Sequence, residues 1–243
     1  MATLFFAFFL LFTPSDFSSR IEQGDAEFVK QHYVFALTQY ETAAQLVPNS
    51  ADPLWRIARA YVCLGDIAEK NERELLYGKA LDAASRAVQT DKQNSDAHTW
   101  RAIAIGYVSM YEGVRSKVKM ANQIKHELEH AIELNPKNDV AYSILGTFHR
   151  AIGNVSWIER QLADVLLGGL PKGGFEEGEV ALKKAIALSP NIIRHRYELG
   201  LLYTEWGKVN EAKAVFTDAL HLSKTLASDE QRIQDMKKKL EEL

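Results

Sequence analysis

The chain has 243 residues, 47% of them hydrophobic and 25% charged, the balance of an ordinary folded protein. With 29 basic and 32 acidic residues the net charge is −3, so composition supplies no general attraction for nucleic acid, and no nucleic-acid partner is expected. A single cysteine, Cys63, excludes an internal disulfide framework and multi-thiolate metal sites, while 14 glycines and 6 prolines are too few for the frequent turns of an all-β sandwich or barrel.

Residues 1–16 stand apart as an apolar signal or anchor segment. Ala2 to Phe12 reads ATLFFAFFLLF and is broken by Thr13-Pro14-Ser15-Asp16. A membrane-spanning helix needs about 20 apolar residues, more than this run supplies. Its length suits the core of an export signal, although no Lys or Arg precedes it. A signal predicts a secretory or periplasmic location; the alternative is a cytoplasmic or membrane-associated one.

Residues 17–225 read as helix after helix with a repeated stop. Ala43-Ala44-Gln45-Leu46-Val47-Pro48 recurs as Ala131-Ile132-Glu133-Leu134-Asn135-Pro136 and as Ala185-Ile186-Ala187-Leu188-Ser189-Pro190. Proline cannot continue a helix and biases the preceding residue away from helical geometry, so each phrase predicts a helix end. Weaker copies surround Ala87 and Ala219, which places the five alanines at spacings of 44, 44, 54 and 34 residues. The last equals the tetratricopeptide period of 34. The final unit resembles that repeat most closely: Leu199-Gly200, Tyr203, Gly207, Ala212, Phe216 and Ala219 occupy its small and aromatic positions. The expected fold is all-α, a right-handed α-solenoid of five tetratricopeptide-like helix pairs with lengthened middle repeats. Residues 226–243 are expected to form a C-terminal capping helix, with Ser228-Asp229-Glu230-Gln231 as its capping box. Its Lys237-Lys238-Lys239 run reads as a solvated face.

Little in the chain reads as catalysis. His126-Glu127-Leu128-Glu129-His130 has the form H-E-x-x-H, in which two imidazoles share a helix face and hold zinc. A catalytic zinc needs three protein ligands, and no clear third follows, although His149 and Glu159 lie downstream. Both histidines are therefore assigned to a solvated helix face. Gly168-Gly169-Leu170-Pro171-Lys172-Gly173-Gly174 lacks the Gly-Lys-Ser/Thr of a phosphate loop and reads as a helix stop and linker. No cofactor, metal or enzymatic activity is expected.

The lengthened units carry a more specific resemblance. Trp55-Arg56-Ile57-Ala58-Arg59-Ala60-Tyr61, then Gly106-Tyr107-Val108-Ser109-Met110-Tyr111-Glu112-Gly113, then Ser156-Trp157-Ile158-Glu159-Arg160 through Gly168-Gly169-Leu170-Pro171 resemble, in this order, the regulator of microtubule dynamics family. The resemblance spans residues 21–243. It implies a non-enzymatic helical-repeat protein of a family with microtubule-associated members and members anchored in membranes at organelle contacts.

Repeat solenoids bind along the concave face, lined mainly by the first helix of each unit. The register points to Trp55, Arg59, Trp100, Tyr107, Arg150, Arg194 and Tyr197 as groove-binding candidates, with Val62, Ala104, Ser143, Thr147 and Leu201 between them. Aromatic and arginine side chains dominate binding hot spots. The first expectation is an interaction scaffold for a protein or peptide partner, with microtubules implied by the resemblance. The alternative is a lipid-binding or membrane-contact module that holds phospholipid in an apolar pocket. In that reading the 154–175 insertion closes the pocket with the stripe of Trp157, Ile158, Leu162, Val165, Leu166 and Leu170.

Overall fold

The computed structural model describes residues 14–243, so the signal or anchor reading of residues 1–16 falls almost wholly outside it. The described residues form twelve α-helices and no strand. Five antiparallel pairs make the repeat: α1 (Pro14–Val29) with α2 (Tyr33–Leu46), α3 (Ala51–Ile67) with α4 (Lys70–Thr90), and α5 (Ser95–Ser109) with α6 (Val114–Leu134). The fourth pair is α7 (Asp139–Gly153) with α9 (Phe175–Leu188), interrupted by α8 (Trp157–Leu167), and the fifth is α10 (Ile193–Glu205) with α11 (Val209–Leu220). Helix α12 (Asp229–Glu242) packs on α10 and α11. The expected five-unit solenoid with its terminal helix is the fold of the chain.

The proline stops act as the sequence requires. Helices α2, α6 and α9 end at Leu46, Leu134 and Leu188, two residues before Pro48, Pro136 and Pro190. The first helices α3, α5 and α7 start on side-chain caps, with Ser50 accepting from Asp52 N, Asn94 from Ala97 N and Asn138 from Ala141 N, whereas α10 starts after Ile192 without one. Each cap satisfies an amide that the first helical turn leaves open. Within a unit, a glycine of the first helix receives a ring from the second. A Cβ at Gly200 would overlap Phe216, and the same pairing joins Gly24 to Tyr40 and Gly65 to Tyr77. Alanines at the neighbouring contacts, among them Ala43, Ala87, Ala131, Ala185 and Ala219, are fully buried.

Two local expectations are corrected. Ser228-Asp229-Glu230-Gln231 does not form a capping box, because the Asp229 carboxylate accepts from the amides of Thr225 and Leu226 while Ser228 Oγ accepts from Arg232. The box forms instead at α8, where Ser156 Oγ accepts from Glu159 N and Glu159 accepts from Ser156 N. That helix closes at Gly168 (φ 83°), in the left-handed region open to glycine, with Gly169 N donating to Ala163 O. The second correction concerns where the insertion goes. Helix α8 packs against α6, the second helix of the third unit, and so lies on the outside of the array. Trp157, Ile158, Leu162 and Val165 stay more than half exposed and close no pocket on the concave side.

What closes the concave side is the C-terminal segment. Leu226 and Ala227 pack on the core formed by the first two units and α5, and Ala227 N donates to Tyr33 Oη at 3.0 Å, a contact 194 residues apart in sequence. The solenoid therefore bends far enough for its last segment to meet its first unit.

Acid weakens one identifiable joint of this array. Glu179 of α9 accepts from Tyr203 of α10 (2.8 Å), Lys183 (2.6 Å) and Lys208 (3.2 Å). Burial alone would raise its carboxyl, but these hydrogen bonds outweigh it and hold the group at about 2, below the ordinary 4.5. Its stabilisation is complete above about pH 4.5 and lost as pH falls toward 2. Thermal unfolding across that window is expected to show a falling midpoint, with a shallower fall in Glu179→Gln; an unchanged slope in the variant would remove Glu179 from the account.

Candidate functional site

The concave side encloses a cavity of about 930 Å³, lined mainly by the first helices α1, α3, α5, α7 and α10 and shut along one side by residues 224–232. Its volume lies within the roughly 300–1,000 Å³ typical of small-molecule sites. Phe28, Trp55, Trp100, Ile103, Ile144 and Phe148 supply much of an apolar wall, into which a few charged groups project.

Five of the seven groove candidates, Trp55, Arg59, Trp100, Tyr107 and Arg194, line this cavity. Trp55 (9% exposed) and Trp100 (7%) are packed between helices and still reach it. Arg59 is already engaged. It donates to Asp25 (2.8 Å) and to Tyr40 Oη (2.8 Å), and its guanidinium lies 3.8 Å over the Phe28 ring. Arg150 and Tyr197 are not among the lining residues. Arg150 donates to Glu198 (3.1 Å) and Glu205 (2.5 Å), tying α7 to α10, and Tyr197 donates to Asp235 (2.7 Å), tying α10 to α12. Of the residues between them, Val62 and Thr147 line the cavity, whereas Ala104, Ser143 and Leu201 do not.

Arg194 is the distinctive group. It sits deep in the molecule with part of its surface open to the cavity, and it makes no hydrogen bond or ion pair among the described residues; its Nε is buried without a partner. Burial, reinforced by the nearby charge of Arg232, holds its basicity below the ordinary arginine value against the opposing pull of Tyr107, Glu198 and Asp139. Arg232 is anchored by Asp229 at 2.8 Å. Facing these cations is a cluster that the repeat pattern did not single out. Tyr77 and Tyr107 stack at 4.2 Å, and Tyr77 donates to Asp66 at 3.2 Å. Burial pushes the Asp66 carboxyl up against the opposing pull of Tyr107 and Arg232. Cys63, also on the wall, is pushed up to about 12 by burial, so it is a thiol and no nucleophile at neutral pH. Lys224, Thr225, Leu226 and Arg232 were missed as lining residues; the only signal for them is an apolar pair, Leu226-Ala227, between the last two helices.

The H-E-x-x-H stretch lies apart from the cavity lining. Glu127, which would be the general base, turns inward and accepts from His98 Nδ1 (2.6 Å) and from Arg101, joining α6 to α5. Burial would raise its carboxyl, but these two hydrogen bonds hold it below the ordinary value. His126 is exposed, and His130 sits edge-on to His98 with ring centres 4.6 Å apart. Among the described residues no group of three or more His, Cys, Asp or Glu is placed to hold a metal ion.

Comparison with known proteins gives this architecture relatives. A thermophilic tetratricopeptide-repeat protein of Thermus thermophilus has the same fold, with a TM-score of 0.68 at 21% identity over 92% of this chain and 98% of that one. Mouse regulator of microtubule dynamics protein 1 is 33% identical over 194 residues, which is 79% of this chain and 60% of that protein. Mouse regulator of microtubule dynamics protein 2 is 30% identical over 194 residues, 78% of this chain and 47% of that protein. The chain thus spans about half to three-fifths of the length of these curated relatives. The profile described as regulator of microtubule dynamics protein 1-3 matches residues 20–243, nearly the whole described solenoid, and the chain belongs to that family.

Proposed function

We propose that this helical-repeat scaffold is a non-catalytic binding module that takes an amphipathic ligand, with an apolar body and an anionic head, into its concave cavity. Arg194 carries the reading. Its guanidinium makes no hydrogen bond or ion pair among the described residues and is balanced only through space by Glu198 and Asp139, so an anion in the cavity would offset part of its desolvation through charge-assisted hydrogen bonds. The apolar wall suits the body of a lipid, and the closure by residues 224–232 suits a compact ligand better than a long peptide. The occupant expected at the outset was a protein segment, and the test separates the two. Native mass spectrometry of protein purified without detergent is expected to show a co-purifying lipid that organic extraction releases; a bound peptide, or an empty cavity that takes up no added phospholipid, would refute the reading.

Family membership adds a second partner, since the relatives carry microtubules in their name. A microtubule-associated role would use the outer faces and leave the cavity free, and co-pelleting with polymerised tubulin checks it.

A further inference from the structure

Consecutive helices run antiparallel, so the turns inside the units share one edge of the solenoid and the turns between units share the other. Exposed apolar side chains are divided unequally between these edges. At the between-unit turns Val47 (38% exposed) is the single large one among the described residues. At the within-unit edge the α5–α6 turn presents Met110 (66%) and Val114 (72%), and α8 presents Trp157 (74%), Ile158 (64%) and Val165 (77%). The two groups are neighbours: α8 packs on α6, where Asn122 donates to the carbonyl of Gly169 at 3.4 Å. Between them the start of α6 carries Arg115, Lys117 and Lys119, all exposed and none with an ion-pair partner among the described residues.

We propose that this edge, centred on α8 and the α5–α6 turn, docks on an anionic lipid bilayer. Large apolar side chains beside unpaired cations are the pattern of a surface that enters the headgroup layer, where the apolar groups leave water and the cations meet lipid phosphates. The three cations of the α6 start stand against exposed Glu112, Glu159 and Asp164 on the turn and on α8, so the positive charge is concentrated at Arg115, Lys117 and Lys119 and not spread over the edge. A wholly apolar partner would leave Arg115, Lys117 and Lys119 without counter-charge, and a wholly acidic one would leave the α8 stripe in water. The docking stands on this surface alone and does not require the cavity to hold lipid. It would bring the cavity to the membrane, because Val29 (76% exposed) and Met110 line the cavity at the same edge.

The test uses the full chain with one introduced cysteine carrying an environment-sensitive fluorophore, since buried Cys63 does not compete for the label. Val165→Cys reports the proposed face and Lys137→Cys the opposite edge. With vesicles of equimolar phosphatidylcholine and phosphatidylserine, the Val165→Cys label is expected to shift to the blue and to be quenched by doxyl lipids, while the Lys137→Cys label stays in water. Lys117→Ala with Lys119→Ala is expected to weaken binding to these vesicles about 30-fold, at about fivefold for each basic side chain near an anionic surface. Both residues are exposed, so the fold is expected to be kept, which circular dichroism checks. Absence of vesicle binding, or a bound protein whose Val165→Cys label stays in water, would overturn the proposal. So would equal shifts of both labels, or an affinity indifferent to phosphatidylserine or to the two lysines.

Discussion

Arg194→Met is expected to unfold at a higher temperature than the parent protein and to lose its anionic ligand. In the absence of ligand the parent holds a guanidinium deep in the molecule with no hydrogen bond or ion pair among the described residues. Methionine has a similar length, no charge to desolvate and a flexible chain that fits an apolar wall. Removing the charge is expected to stabilise the empty protein by about 1–3 kcal/mol, the range for replacing buried ionic groups with apolar ones. In a chain of this size that is roughly 2–4 °C in midpoint for each kcal/mol. The affinity for an anionic amphiphile moves the other way. Loss of charge-assisted hydrogen bonds costs about 1.5–3 kcal/mol, or roughly 10- to 150-fold in binding. Scanning calorimetry with and without added phospholipid reads both effects. Opposite signs are the signature of a side chain kept for its ligand; a variant that is less stable and binds as before would make Arg194 a structural residue.

The positions legible in sequence were those whose role is set within one repeat. Pro48, Pro136 and Pro190 end helices wherever they fall, and Gly200 with Phe216 encodes a close helix contact by volume alone. From that register the inward faces of the first helices followed, and with them Trp55, Trp100, Tyr107 and Arg194 on the cavity wall. Arg150 and Tyr197 share the register but are claimed by Glu198, Glu205 and Asp235, partners supplied by a neighbouring unit and by α12. Periodicity fixes which face of a helix a residue occupies and says nothing of a competing carboxylate from another element. The stripe on α8 shows the same limit. Its spacing marks an amphipathic helix, but the pattern is identical whether the apolar side meets the protein's own core or faces outward, as Trp157 and Val165 do. The closure of the cavity depends on Tyr33 meeting Ala227, a contact set by the accumulated curvature of five units and written in no local motif.

Phe216→Ala is expected to be among the most damaging single substitutions, at about 3–5 kcal/mol. The side chain is fully buried between α10 and α11, over Gly200, with the Tyr197 ring 6.5 Å away. Truncation removes a large apolar surface from the interior, and the glycine beneath it has no side chain with which to fill the space. The damage is not confined to the fifth unit. Helix α12 packs on both helices of that pair, with Met236 fully buried in the same cluster, and the segment leading into α12 carries Leu226 and Ala227 onto the core of the first two units and α5. Loosening the pair therefore frees the element that shuts the cavity. In an open solenoid, each unit contacts only its neighbours and a terminal defect stays terminal. Here hydrogen exchange in Phe216→Ala is expected to rise in α10 to α12 and also around Tyr33, at the far end of the chain. If the rise stops at α10, the link between Tyr33 and Ala227 contributes nothing to cooperativity, and the array unfolds from its C-terminus as an open stack would.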